Sequence, residues 1–225
     1  MKNTLLEVIV CSIEDALEAE AGGADRLEVV SQLDVGGLTP SVDLVRTIKA
    51  EVSLPLRVMV RESVGFDVDG DVDALCESAQ VMNEIGVDGL VLGFLRHGEL
   101  DPEALGKVLS CAPRLNATFH HAFEAANDKE RLIQQLKKFP QIDRILAHGG
   151  QGDWSEKIER LIRYQSLAAP AIQILVGGGL NASVIKSIRR TDLNEFHVGS
   201  AAREHGHTSR SRVAELVNES LAKAN

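Results

Sequence analysis

Residues 174–203 read ILVGGGLNASVIKSIRRTDLNEFHVGSAAR. An apolar run ends in Gly177-Gly178-Gly179, Asn181 opens a helix-like segment, and a second short run, Glu195–Val198, ends in Gly199-Ser200. The stretch is two successive strand–turn–helix units with small residues where strand becomes helix. Amides and a helix N-terminus exposed at such a turn suit an anion, because the N–H groups and the helix dipole both favour negative charge. In a (βα)8 barrel the loops after the last two strands are the usual phosphate site. If the rest of the chain makes that barrel, Gly177, Gly178, Gly179, Gly199 and Ser200 are the expected anion-binding positions.

Outward from this stretch the same alternation continues. Eight apolar, β-branched runs can be counted: Leu5–Val10, Arg26–Val30, Leu56–Val60, Gly89–Leu92, Arg114–Phe119, Ile142–Leu146, Ala171–Val176 and Glu195–Val198. Helical patterns lie between them: Ile13–Ala21 with Ser12 as N-cap and Gly22-Gly23 as stop, Val42–Glu51 after Pro40-Ser41, Asp71–Ile85, Pro102–Leu109, Asp128–Lys137, Ser155–Leu167, Ala182–Arg190 and Arg210–Ala222. Strict strand–helix alternation means parallel strands and crossover helices, and a count of eight favours an α/β TIM-type barrel over an open doubly wound sheet. No linker divides the 225 residues, so one domain is expected. A faint repeat, Gly22-Gly23-Ala24-Asp25, Gly86-Val87-Asp88-Gly89 and Gln141-Ile142-Asp143-Arg144, leads into alternate strands.

A net charge of −9 argues against a nucleic-acid or anionic-membrane surface, so any anion site must be local. No apolar span approaches transmembrane length, and the N-terminal run is too short for a signal peptide. Three cysteines, without a CxxC, point to a reducing cytoplasm and away from structural zinc. There is no GxGxxG after the first strand and no strand-end lysine for a Schiff base, so no nucleotide or pyridoxal cofactor is expected.

A charged strand residue in a barrel has to face inward, where it must be paired. Arg26, Arg57 and Arg144 stand at strand beginnings and are expected to close ion pairs with the acids of the preceding turns. Glu7, Glu28, Arg61, His120 and His197 sit toward the strand C-termini, where barrel enzymes do chemistry, and are the candidate catalytic ring. His148, before Gly149-Gly150, joins the anion-binding set. His205 and His207 have metal-like spacing but lie in a polar loop, where solvation is the plainer reading. Cys11 follows the first strand and faces the mouth as a candidate metal ligand, while Cys76 and Cys111 fall in helical stretches as packing residues.

The blocks Gly22–Glu28, Gly36-Gly37-Leu38-Thr39-Pro40-Ser41, Val58–Arg61, Asp88–Gly93, Thr118-Phe119-His120-His121-Ala122-Phe123-Glu124, Val176–Gly179 and Glu195–His197 resemble the bacterial and animal CutC family over residues 5–203. The resemblance implies a TIM-type barrel, a cytoplasmic location and a role in copper homeostasis, with copper as the only implied cofactor. The family's cysteines two residues after the strand-one and strand-two glutamates are replaced here by Ile9 and Val30. Its arginine-proline-arginine after strand three reads Arg61-Glu62-Ser63, and the arginine after the strand-five histidine is His121. Three readings stay open: copper binding at Cys11 or histidines, lyase- or isomerase-type chemistry on a phosphorylated or carboxylated metabolite, and a non-catalytic scaffold. The partner is a small anion or a copper ion, and a homo-oligomer is compatible with either.

Overall fold

The computed structural model describes residues 4–68 and 72–221. Among them, β1 (Leu5–Val10), β2 (Arg26–Val29), β3 (Leu56–Met59), β4 (Gly89–Leu92), β5 (Asn116–Phe119), β6 (Ile142–Ala147), β7 (Gln173–Val176) and β8 (Glu195–Val198) pair in parallel and close into one barrel. The principal helices are α1 (Ile13–Ala21), α2 (Val42–Glu51), α3 (Val72–Ile85), α4 (Pro102–Cys111), α5 (Lys129–Leu136), α6 (Trp154–Ala168), α7 (Ala182–Ile188) and α8 (Arg210–Leu221). The expected helix start at Asp71 and end at Ala222 lie outside the described residues. No helix among the described residues is long and apolar enough to cross a membrane.

Short polar side chains set the helix starts. Ser12, Ser41, Asp101, Asp128, Asp153 and Asn181 each accept an amide of the first turn, satisfying a donor that has no intrahelical partner. The Asp153 cap moves the start of α6 to Trp154, one residue before the expected Ser155. Outward strand residues such as Leu6, Val8, Leu27, Val58, Phe119 and Phe196 are fully buried under these helices.

Two short ribbons escaped the sequence reading: Leu95–Arg96 against Glu99–Leu100, and Arg203–Glu204 against His207–Thr208. Each turns on a His-Gly pair with both residues at positive φ, His97-Gly98 at 53° and 78°, His205-Gly206 at 52° and 86°. That is the backbone a two-residue hairpin turn needs, and histidine tolerates it better than most residues. His205 and His207 are exposed there, in keeping with the solvated reading.

The barrel floor is ionic. Arg57 Nη2 and Arg144 Nη1 both meet Asp143 Oδ2 at 2.7 Å, and Arg144 grips Glu195 through Nε (2.6 Å) and Nη2 (3.0 Å). Arg26 donates to Glu7 and lies 3.9 Å from Glu195. Gly89 is required beside this network, since a Cβ there would stand 2.8 Å from the Arg57 side chain. The expectation that preceding-turn acids pair with these arginines holds only for Asp143. Asp25 and Asp88 instead accept the amides of Leu6 (2.7 Å) and Leu56 (2.8 Å), which start the neighbouring strands. In its first two occurrences the repeat therefore caps the beginning of a neighbouring strand. Asp25→Ala would strand the Leu6 amide and is expected to cost about 1–3 kcal/mol, read as a lowered urea midpoint.

Candidate functional site

Parallel register assembles the site. Glu7 lies opposite His197 on one side and Arg26 on the other, while Glu28 is one step higher, opposite Ile9. Since side chains two residues apart share a face, these groups converge inside the barrel. Glu7 Oε1 meets His197 Nδ1 at 2.8 Å, and Glu28 Oε2 lies 3.2 Å from His197 Nε2. Arg26 holds the other Glu7 oxygen. All four side chains are buried.

The charges follow from this packing. Burial alone would raise Glu7, but Arg26 and His197 outweigh it and hold its carboxyl well below the usual carboxylate range. Burial pushes Glu28 up to about 7; the facing His197 ring pulls against that rise, and the Glu7 charge adds to it. Burial opposes charge on His197 as well, yet Glu28 and Glu7 together lift it above the ordinary histidine value. The result is an imidazolium between a fixed carboxylate and a carboxyl that titrates near neutrality.

Glu28 and His197 form the floor of a cavity of about 420 Å³. Ile9, Val30, Leu33, Met59, Leu146 and Leu180 supply apolar walls, and His121, His148, Ser200 and Arg203 polar ones. Gly177, Gly178, Gly179 and Gly199 line it too. Among the described residues, no hydrogen bond uses the amides of Gly178, Gly179 or Ser200. Gly178 sits at φ 78°, and a Cβ there would fall 2.3 Å from the His148 side chain, so the close approach of these two loops needs glycine.

The other expected residues lie differently. Arg61 is taken up by the loops: it donates to the carbonyls of Gly36 (3.2 Å), Gly37 (3.1 Å) and Val64, and stacks 5.1 Å over Phe66. Its guanidinium lines a second cavity, between Phe66 and Phe94. His120 is fully buried against Phe66 and Phe119, and its Nδ1 accepts the Ala122 amide at 3.1 Å. Burial, then His121 and Arg61, drive it well below the usual histidine range, so it is neutral. His121 takes the cavity wall instead, pushed down to about 4, mainly by burial. His148 Nδ1 accepts the Gly150 amide at 3.2 Å, while Glu124 takes the amides of His148 (2.7 Å) and Gly149 (3.0 Å). Cys11 is half-buried beside Arg203, its thiol raised chiefly by burial.

Arg203 is the residue that sequence reasoning passed over. It closes the quoted stretch directly after Gly199-Ser200-Ala201-Ala202, the only signal that marked it. Asp15 orients it at 2.9 Å and also accepts the amides of Cys11 and Thr208, tying the last ribbon to α1. Its buried Nε has no partner among the described residues.

The sequence pattern of the CutC family matches residues 4–202. A CutC family protein of Xanthomonas axonopodis pv. citri is 34% identical over 200 residues, 87% of this chain and 82% of the relative. A human homologue of the copper homeostasis protein CutC is 31% identical over 86% of this chain and 72% of its own length. Among solved structures, Streptococcus agalactiae CutC superposes with a TM-score of 0.80 at 28% identity, covering 88% of this chain and 99% of that one.

Proposed function

The chain belongs to the CutC family, and within it we propose that this barrel binds a small organic anion and moves a proton on it with Glu28 and His197. The observation that carries the reading is the buried Glu7–His197–Glu28 relay opening onto the cavity floor. A carboxyl near 7 beside a held imidazolium is matched to acid–base work at neutral pH, in the manner of a lyase or isomerase. Glu7 and Arg26 fix the ring and act as positioning residues. The free amides of Gly178, Gly179 and Ser200, with the unpartnered Nε of Arg203, supply donors for a phosphate or carboxylate. The apolar wall of Ile9, Val30, Leu33 and Met59 suits a hydrocarbon body behind that head group.

The human relative's name raises Cu(I) as an occupant of the same mouth. The donors there do not fit it. Ile9 and Val30, where the family resemblance expects cysteines, pack with Met59 and Val91 into an apolar patch. Both nitrogens of His197 face carboxylates, His120 is sealed off, and Cys11 is a single thiol raised by burial. Soft Cu(I) requires soft ligands in number.

Phenyl phosphate, benzoate and inorganic phosphate test the reading by thermal shift. Phenyl phosphate should stabilise most, by about 2.7 kcal/mol at one hundred times its dissociation constant. Solvent deuterium incorporation into bound carbonyl analogues should fall about 10²–10⁴-fold in Glu28→Gln. Equal shifts for phenyl and inorganic phosphate would remove the apolar wall from the reading, and exchange untouched by Glu28→Gln would remove the chemistry.

A further inference from the structure

We propose that the second cavity, lined by Arg61, Phe66 and Phe94, binds a free α-amino acid with an apolar side chain, its carboxylate paired with Arg61. The site is separate from the glycine-lined cavity and does not rest on the function proposed above.

The observation that carries it is a buried cation without a counter-ion. Arg26, Arg57, Arg144 and Arg203 each meet a carboxylate. Arg61, at 5% exposure, donates only to carbonyls among the described residues, those of Gly36, Gly37 and Val64. Burial lowers its pKa, and no neighbouring acid offsets the lost water. A guanidinium taken out of water is costly until an anion answers it. Nη1 spends both hydrogens on Gly36 and Gly37, and Nη2 spends one on Val64. Nε is buried and has no partner among the described residues. Nε and Nη2 share an edge of the guanidinium, and the donors left over there match the two oxygens of one carboxylate.

The cavity beside Arg61 holds about 500 Å³, room for a ligand of amino-acid size. Phe66, Val68, Leu75 and Phe94 line its apolar side. Arg61 stacks on the Phe66 ring, and the Phe66 carbonyl accepts the Leu95 amide at 2.8 Å, so this wall is fixed. Leu75 and Phe94 are buried and belong to the core. Exposed Glu62 and Asp67 complete the lining. Glu62 Oε1 accepts the Thr39 hydroxyl at 2.9 Å, and Asp67 Oδ1 accepts the His97 amide at 2.9 Å. The second oxygen of each carboxylate takes no hydrogen bond among the described residues.

These charges select the ligand. One buried cation, an apolar wall and two exposed carboxylates favour a molecule with one carboxylate and one ammonium. A phosphate ester or dicarboxylate would meet Glu62 and Asp67 with like charge, and a plain amine would leave Arg61 unanswered. A zwitterionic amino acid answers all three groups, and an apolar side chain covers the wall.

Isothermal titration of the full-length chain with L-phenylalanine, hydrocinnamate and phenethylamine tests the site. Phenylalanine should bind best. Phenethylamine, which lacks the carboxylate, should bind about 30-fold more weakly or worse, as when a buried charge pair loses one partner. Hydrocinnamate lacks the ammonium, and its deficit should be about fivefold. Asp67→Asn, an exposed substitution, should weaken phenylalanine by about the same factor and leave hydrocinnamate unchanged. Arg61→Met should abolish binding of both, with circular dichroism checking its fold, while Glu28→Gln in the other cavity leaves both unchanged. The ligand series and Asp67→Asn decide the matter even if Arg61→Met does not fold. No phenylalanine binding at millimolar concentration, hydrocinnamate bound as tightly as phenylalanine, or binding unmoved in Asp67→Asn overturns the proposal. So does binding that survives in folded Arg61→Met or is lost in Glu28→Gln.

Discussion

Arg26→Met is expected to lower folding stability by about 3–5 kcal/mol, the cost of removing one partner of a buried ion pair. Arg26 is buried at 4% exposure, donates to Glu7 and approaches Glu195. Without it, Glu7 and Glu28, at 1% and 2% exposure, would share the single cation of His197. The loss would remove a large part of the roughly 5–15 kcal/mol typical of a domain. Methionine keeps much of the volume, so lost charge rather than a cavity dominates. Urea unfolding measures the effect. The double variant Arg26→Met/Glu7→Leu removes the orphaned carboxylate along with its partner and should recover most of the stability. A double variant as unstable as the single one would show that packing, not electrostatics, sets the cost.

The second large effect is a pH dependence. Unfolded, Glu28 releases its proton near the ordinary glutamate value of 4.5; folded, it holds that proton to about 7. Unfolding therefore releases a proton between these values. The contribution of Glu28 is fully present below pH 4.5 and is lost as pH rises through 7. At about 1.4 kcal/mol for each pH unit separating the two values, the span is about 3 kcal/mol. Glu7 and His197 act in other windows. Glu7, lowered, stabilises above its unfolded value and loses that contribution only in acid; His197, raised, loses its contribution as pH climbs through its folded value. The parent chain should thus weaken relative to Glu28→Gln between about pH 4.5 and about pH 7, with the difference following one proton. Urea unfolding of both proteins across that range reads it directly, and parallel curves would mean that Glu28 is ionised in the folded chain throughout.

These charges explain which parts of the site were legible. Glu7, Glu28 and His197 could be found because a charged residue on a barrel strand has one face to turn to, and alternation names that face. Arg61 and His120 satisfy the same rule, yet each lies at the last inward position, where loops compete for it. The carbonyls of Gly36, Gly37 and Val64 take Arg61, and the Ala122 amide with two phenylalanine rings takes His120. Arg203 reaches the cavity from a two-residue ribbon strand and His121 from the turn after β5, segments too short to carry a periodicity.

The sequence by itself determined the barrel. Eight strand–helix alternations, the side-chain caps and the inward charges are local patterns whose period the backbone enforces. It also determined that the glycine turns after β7 and β8 would stand at the barrel mouth, where Gly177, Gly178, Gly179 and Gly199 line the cavity. Only the tertiary structure decided which charges meet. Strand register set Glu7 between Arg26 and His197. Register is a property of pairs of segments far apart in the chain. No single segment encodes it, because it is fixed by closing the barrel and burying all its parts at once.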